Sequence, residues 1–150
     1  MLMIVDDPNF KPEQFAVACH IVCNGEILYV KRNTGRSQGG KWGSIAGKRE
    51  EGEDNLNAIK REVKEEIGLE FKDDDYKYVG TWKVKFNSQE KKCNYKSFTY
   101  YLYRVEIKEK PEIILSEDES KEYNWFTPQE ALEQELFQDE DGVLRDIYGL

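Results

Sequence analysis

The chain has 150 residues, 39% of them hydrophobic and 13% aromatic, which is enough apolar material for one folded domain. Its net charge of −8 argues against a duplex nucleic-acid binder, because affinity for the phosphate backbone depends on Lys and Arg. The start of the chain has the pattern of neither a secretory signal nor a membrane span, and three cysteines fit a reducing compartment. We therefore expect a single cytoplasmic domain over residues 1–150 with no membrane partner. Its oligomeric state is left open.

The first predicted elements form a hairpin. Apolar runs at residues 15–22 and 26–32 flank Asn24-Gly25, a dipeptide typical of a tight turn between strands. Cys19 in the first run and Cys23 just after it would lie about 13 Å apart in an extended strand, which is too far for a shared zinc ion or a disulfide. His20, the only histidine, lies among apolar residues, and we interpret it as structural.

A helix is predicted after a glycine-rich loop at 33–41, a short extended piece at 42–47 and an acidic loop at 48–53. Asp54 is a suitable N-cap for a helix over residues 55–67, and Gly68 is suited to a left-handed C-cap. One apolar stripe with spacings of three and four runs along this helix and consists of Leu56, Ile59, Val63 and Ile67.

The second half predicts two long strands over residues 76–86 and 95–107, joined by a polar loop at 87–94. Shorter elements follow: an extended segment at 111–115, an apolar piece at 123–126, a helix with a capping box at Thr127-Pro128-Gln129-Glu130, and an amphipathic stretch with Val143, Leu144, Ile147 and Tyr148. Paired strands with interspersed helices indicate a mixed sheet that is covered by helices.

The predicted helix over residues 55–67 carries an unusual acidic cluster. Glu62, Glu65 and Glu66 recur at spacings of three and four, which places them on one side of the helix. Each such like-charge pair costs about 0.2–0.5 kcal/mol on an exposed helix. The cluster becomes favourable when a hard divalent cation such as Mg²⁺ or Mn²⁺ lies among the carboxylates. The alternative is a solvated acidic face balanced by Lys60, Arg61 and Lys64.

The spacing favours the metal site, because it completes a longer motif. The chain reads Gly47-x5-Glu53-x7-Arg61-Glu62-Val63-x-Glu65-Glu66-x-Gly68-Leu69, which matches the Nudix box G-x5-E-x7-R-E-U-x-E-E-x-G-U, where U is aliphatic. The chain therefore resembles Nudix hydrolases. The likeness extends over roughly residues 14–135, including Gly-Lys-Trp-Gly at 40–43. One departure is Ala46, where many members have a second glycine before the box.

The resemblance implies an α+β fold, namely an α/β/α sandwich around a mixed β-sheet. It also implies Mg²⁺- or Mn²⁺-dependent cleavage of a diphosphate that is linked to another moiety, usually a nucleoside. The implied metal site consists of the carboxylates of Glu62, Glu65 and Glu66, the carbonyl of Gly47, and Glu53 as a supporting or additional ligand. Arg61 would orient Glu65 from one helical turn away.

A general base and substrate contacts complete the implied site. A carboxylate would accept the proton of the attacking water. Besides the helix glutamates, the best candidate is Glu119, six residues before Trp125, and Glu117 is second. Phosphate contacts are assigned to Arg32, Arg36, Lys41 and Lys48, and base stacking to Trp42, Phe98 or Tyr101, with core packing as the alternative for the aromatic residues.

The main hypothesis is a MutT-like nucleoside triphosphate diphosphatase that releases a monophosphate and pyrophosphate. Hydrolysis of ADP-ribose or of dinucleoside polyphosphates is the alternative within the same class. A nucleotide-sensing module without catalysis is the alternative of another class, and it is disfavoured because no helix carboxylate is missing. In each case the expected partner is a small molecule with a nucleoside-linked diphosphate.

Overall fold

A mixed sheet forms the centre of the protein. The computed structural model describes residues 2–4, 8–35, 39–86, 97–137 and 140–150. The sheet order is β1-β6-β7-β2-β3-β4, with β5 also paired to β2 and β8 to β3. The strands are β1 (Leu2–Ile4), β2 (Gln14–Cys23), β3 (Glu26–Arg32), β4 (Trp42–Gly43), β5 (Ile45–Lys48), β6 (Lys77–Phe86), β7 (Ser97–Ile107) and β8 (Ser120–Phe126).

Strand β2 makes the sheet mixed. It pairs in parallel with β7, from Gln14 opposite Phe98 to Cys23 opposite Ile107, and antiparallel with β3 and β5. The predicted hairpin to β3 is confirmed: Asn24 and Gly25 both have positive φ, at 51° and 80°. Seven consecutive β2 residues are buried because helices cover both faces of this strand.

The helices are α1 (Asn55–Ile67), α2 (Pro128–Leu132) and α3 (Glu140–Tyr148). The apolar stripe of α1 packs on one face of the sheet, and residues of α2 and α3 pack on the other. This arrangement confirms the predicted α+β sandwich. Among the described residues, no helix is long and apolar enough to cross a membrane.

Both predicted ends of α1 are confirmed. The Asp54 side chain accepts a hydrogen bond of 2.7 Å from the backbone N–H of Asn57, as an N-cap does. Gly68 is left-handed at φ 72°, and its N–H donates to the carbonyl of Lys64. The helix and its apolar face are thereby set by local sequence.

A buried polar cluster attaches α3 to the opposite face of the sheet. We call His20, Tyr29, Ser44 and Glu140 the α3 network. His20 Nε2 lies 3.0 Å from Glu140 Oε1, Tyr29 donates to the same oxygen at 3.1 Å, and Ser44 donates to Oε2 at 3.2 Å. All four residues are buried. This agrees with the structural interpretation of His20, and Cys19 and Cys23 are free, buried thiols.

Some predicted boundaries were wrong. The extended piece at 42–47 is two strands, because β4 pairs with β3 and with Leu136 whereas β5 turns to β2. The segment 111–115 is irregular. β1 and a short 3-10 turn at Asp73–Asp75 were not predicted. The predicted loop at 87–94 lies outside the described residues.

Candidate active site

The acidic side of α1 presents two buried carboxylates and one exposed carboxylate. Glu62 and Glu66 are 8% and 9% exposed, whereas the Glu65 side chain is 59% exposed. The Ala46 backbone N–H donates to the Glu66 carboxyl group, and Glu66 Oε2 is buried with no hydrogen-bond partner among the described residues. A buried oxygen without a partner is costly, so this atom is available to a ligand.

Gly47 makes room for one of these carboxylates. A Cβ atom at Gly47 would lie 2.1 Å from Cδ of Glu62 and 2.2 and 2.4 Å from its two oxygens. Gly47 lies in β5 without the positive φ of a tight turn. The glycine is therefore needed for the close approach of helix and strand, and not for a tight backbone turn.

Arg61 holds the loop before α1 against the helix. Its Nε and Nη2 donate to both oxygens of Glu53, at 2.8 and 2.9 Å, and Nη2 also donates to the carbonyl of Lys48 at 3.0 Å. Nη1 donates to Glu62 at 2.8 Å and to Glu65 at 3.3 Å. The predicted contact with Glu65 is present, but the bidentate pair with Glu53 is the shorter interaction.

The electrostatics of the two kinds of carboxylate differ. Burial raises the pKa of Glu62 to about 7, and the negative charges of Glu65 and Glu119 add to this against the opposing effect of Arg61. Burial also raises the pKa of Glu66 well above its usual range, with contributions from Glu62 and Glu119. In contrast, the Arg61 hydrogen bonds lower the pKa of Glu53 to about 2. Glu53 is thus a stable anion, whereas a further cation beside Glu62 and Glu66 would favour their charged forms near neutral pH.

The opposite wall of the site is formed by the end of β3 and the turn before β8. The Arg32 charge lowers the pKa of Glu66, and the Glu119 charge raises the pKa of both buried carboxylates, so both side chains lie within electrostatic range. The Arg32 guanidinium also lies 5.7 Å from the ring centroid of Phe137. One cation and one further carboxylate therefore lie near enough to affect the charge of the buried pair.

These features coincide with those of a known family. A family model described as NUDIX domain matches residues 12–147. The chain belongs to the NUDIX family. The match covers most of the sequence and the whole of the site described above, so the chain is a Nudix phosphohydrolase.

Solved structures support the fold at low sequence identity. A MutT NUDIX hydrolase from Burkholderia pseudomallei has a TM-score of 0.74 at 21% identity, covering 89% of this chain and 97% of its own. The E. coli dihydroneopterin triphosphate pyrophosphohydrolase gives 0.71 at 17% identity, with coverages of 93% and 98%. A C. elegans Ap4A hydrolase gives 0.67 at 19% identity, with 91% and 96%. No curated protein matches this sequence.

The structure brings most residues of the Nudix box together. Gly47, Glu53, Arg61, Glu62 and Glu66 form one contiguous group through the contacts above. Glu65 lies at its exposed rim, hydrogen-bonded to Arg61. Among the described residues, no three carboxylate, imidazole or thiolate groups converge in a geometry that would hold a metal ion. Of the three predicted carboxylate ligands on α1, Glu62 and Glu66 are thus buried together and Glu65 is set apart from them.

The helix period explains this division. At about 100° per residue, Glu66 lies about 40° to one side of Glu62 and Glu65 about 60° to the other. Val63 and Ile67 turn the Glu66 side of the helix toward the core, where both are buried. Glu65 consequently faces solvent.

The predicted substrate contacts are only partly gathered at the site. Arg32 lies within electrostatic range of Glu66, whereas Lys48 is exposed and contributes its carbonyl to Arg61. Lys41 is half-buried, and its carbonyl accepts from the backbone of Arg32. Arg36 lies outside the described residues.

The predicted stacking residues are engaged in packing. Trp42 packs edge-on against Phe126 with ring centroids 5.3 Å apart. Phe98 is buried against Tyr100. Tyr101 lies 5.9 Å from the Arg49 guanidinium. The alternative interpretation of the aromatic residues, packing within the protein, therefore describes their contacts.

Asn33 was not among the site residues predicted from the sequence. Its backbone N–H donates to the carbonyl of Glu119, and its side chain donates to the carbonyl of Glu117, both at 2.8 Å. The only available signal was its position next to Arg32 at the end of a predicted strand, and neither hydrogen bond follows from that spacing.

Proposed function

We propose that the protein hydrolyses a nucleoside-linked diphosphate with the help of Mg²⁺ or Mn²⁺, as a MutT-like diphosphatase that releases a nucleoside monophosphate and pyrophosphate. One observation carries this proposal: the carboxylates of Glu62 and Glu66 are both buried on one side of α1, and Glu66 Oε2 has no hydrogen-bond partner in the described part of the chain. Arg32 lies within electrostatic range of Glu66. Free, buried Cys19 and Cys23 agree with a cytoplasmic single-domain protein.

The residues fit a hard divalent cation. Mg²⁺ prefers oxygen ligands and is commonly held by one or two carboxylates together with water and substrate phosphate oxygens. Glu62 and Glu66 supply such carboxylates, and a cation beside them would offset the cost of their buried charge. We also assign ligand roles to Glu65, to the Gly47 carbonyl and to Glu53, the last in a supporting position. When bound, the ion supplies charge neutralisation of the diphosphate and a lower pKa for a bound water.

The protein's own side chains would carry out the remaining work. Arg32 would bind a phosphate oxygen, with Arg36, Lys41 and Lys48 as further cations for the outer phosphates. Glu119 would accept the proton of the water that attacks phosphorus in line. The bridging P–O bond between the α- and β-phosphates breaks, and pyrophosphate leaves if the α-phosphorus is attacked, or the nucleoside monophosphate if the β-phosphorus is attacked. Arg61 would keep Glu53, Glu62 and Glu65 in place during turnover.

A substrate panel tests the proposal. Nucleoside triphosphates, oxidised triphosphates, ADP-ribose and dinucleoside polyphosphates would be incubated with Mg²⁺ or Mn²⁺, and the products identified by chromatography and phosphorus NMR. Monophosphate and pyrophosphate are the expected products. Preferential cleavage of ADP-ribose or of a dinucleoside polyphosphate would show that nucleoside triphosphates are not the preferred substrates, while the protein remains a Nudix hydrolase. Tight nucleotide binding with no product would instead indicate the sensing module.

Glu66→Gln is the matched test of the site. Because the amide keeps the side-chain volume but cannot bind a cation as a carboxylate does, we expect turnover to fall by at least about a hundredfold with an unchanged fold. Glu70→Gln is the control, since Glu70 is exposed just beyond α1 and pairs with Lys64. Steady-state kinetics and circular dichroism measure both variants. Full activity of Glu66→Gln would refute the assignment of the metal ligands.

A further inference from the structure

The turn that carries Glu119 is attached to α1 at the active site itself. The N–H groups of Glu119 and Ser120 both donate to the carbonyl of Ser116, at 3.0 and 2.9 Å, which closes the turn. The N–H of Ser116 donates in turn to the carbonyl of Glu66 at 3.1 Å. A short chain of backbone hydrogen bonds therefore leads from Glu66 to Glu119.

The sheet does not fix the other side of this turn. The pairing of β3 with β8 is regular as far as Lys31 opposite Glu122, and then it shifts so that Arg32 lies opposite Ser120. A shift of this kind ends the regular ladder and leaves the register of the following residues unspecified. Some other contact has to determine how the turn meets the end of β3.

Asn33 supplies that contact with two hydrogen bonds. Its backbone N–H donates to the carbonyl of Glu119, and its side-chain amide donates to the carbonyl of Glu117, each at 2.8 Å. The backbone bond is open to any residue except proline, but the second bond needs a side chain with a donor at this reach. The two bonds meet the turn at residues two positions apart, so together they define its orientation.

We propose that Asn33 is a positioning residue, which holds the turn at residues 116–120 so that the Glu119 carboxylate faces Glu62 and Glu66. This inference rests on the proposed function, in which Glu119 accepts the proton from water. The backbone hydrogen bonds from the Glu66 carbonyl through Ser116 to Glu119 agree with this placement. Asn33 itself touches no reacting atom and acts through the turn.

Asn33→Ala tests the inference, because it removes the side-chain bond and keeps the backbone bond. We expect kcat to fall roughly three- to tenfold, the range that the loss of one hydrogen bond permits, with KM changed less than twofold. Asn33→Asp, which has the same shape but no donor when ionised, should lower kcat at least as much. Asn124→Ala is the control, since Asn124 is exposed on β8 and its side chain accepts only from the neighbouring Trp125 N–H in the described contacts; we expect it to leave kcat unchanged.

A double-mutant cycle with Glu119→Gln distinguishes positioning from a general loss of stability. If Asn33 acts through Glu119, Asn33→Ala should lower kcat less than twofold further in the Glu119→Gln background. The inference would be overturned if the double variant lost kcat by the product of the two single-variant factors. It would also be overturned if Asn33→Ala lowered kcat no more than Asn124→Ala.

Amide hydrogen exchange separates this inference from the proposed function. Exchange at residues 116–120 should be faster in metal-free Asn33→Ala than in the wild type, whatever the substrate. Unchanged exchange would overturn the inference alone. A wild-type protein that hydrolyses no member of the substrate panel with Mg²⁺ or Mn²⁺ would overturn the proposed function, and the kinetic role of Asn33 with it.

Discussion

At the scale of single residues, Gly47 and Glu62 are complementary. The Glu62 carboxyl group occupies the space where any other residue at position 47 would carry its Cβ. The motif marks both residues in the sequence, but their contact joins a strand to a helix across a loop. The spacing of the motif could therefore identify Gly47, but it could not reveal that the Glu62 carboxyl group occupies the position of a Cβ atom there.

Gly47→Ala should damage the site through this contact. The added methyl group has to displace Glu62, and we expect a loss of about 1–3 kcal/mol in the free energy of unfolding and a fall of roughly a hundredfold in kcat. Urea denaturation and steady-state kinetics measure the two effects. In the double variant Gly47→Ala with Glu62→Ala, removal of the carboxylate should restore much of the stability but no activity. If the double variant is as unstable as the sum of the single ones, the two groups are not in conflict.

At the scale of elements, local sequence signals were sufficient to predict the ends of α1. They were insufficient to predict the contacts that the chain makes after α2. The ends of α1 were predicted correctly, because Asp54 and Gly68 act on backbone groups within one turn of themselves. The pairing of Trp42 with Leu136, and the Phe137 ring that fills the space beside Gly43, join segments far apart in the chain. No local periodicity records such contacts, so β4 and β5 were merged in the prediction.

The α3 network gives a prediction at this scale. Glu140→Ala would leave the buried polar groups of His20, Tyr29 and Ser44 without their acceptor, and we expect a loss of about 3 kcal/mol in the free energy of unfolding. Asp146→Ala is the matched control on the same helix. Asp146 accepts from the Trp82 side chain at an exposed position, so its loss should cost less than about 1 kcal/mol. Urea denaturation compares the two; equal costs would show that burial of the network contributes little.

At the scale of the whole molecule, the architecture was predictable and one pairing was not. Paired strands with interspersed helices led to the mixed sheet and its two helical layers, since each element has an apolar face to bury. The sequence contained no sign that β2 and β7 run parallel, because strand order depends on contacts between distant segments. The same holds for the site: the Nudix box and Glu119 were identified from the sequence, whereas the hydrogen bonds from Asn33 to the turn that carries Glu119 were not.

The buried carboxylates should give the metal-free protein a distinctive pH dependence. Their folded-state pKa values are raised, to about 7 for Glu62 and well above the usual range for Glu66, so their stabilising contribution is complete below pH 4.5. The contribution of Glu62 is lost as the pH rises through about 7, and that of Glu66 is lost as the pH rises through its own raised pKa. The lowered pKa of Glu53 acts in the opposite direction, but only below its ordinary value of 4.5. The thermal midpoint should therefore fall between pH 5 and pH 7.5.

Thermal unfolding in EDTA measures this effect. The variant with both Glu62→Gln and Glu66→Gln should show a smaller decline over the same pH range, and Mg²⁺ at pH 7.5 should raise the midpoint of the wild type but not of the variant. Parallel pH curves for the two proteins would show that these carboxylates do not titrate differently in the folded and unfolded states.

The parallel pairing of β2 with β7 has a consequence for synthesis of the protein. Residues 14–23 leave the ribosome long before residues 98–107, and until then this central strand has no neighbour on one side. The acidic helix is translated in the interval, so it cannot rest on a completed sheet. Formation of the candidate active site during translation must therefore wait for β7. A nascent chain stalled before that point would expose its apolar strands to chaperones.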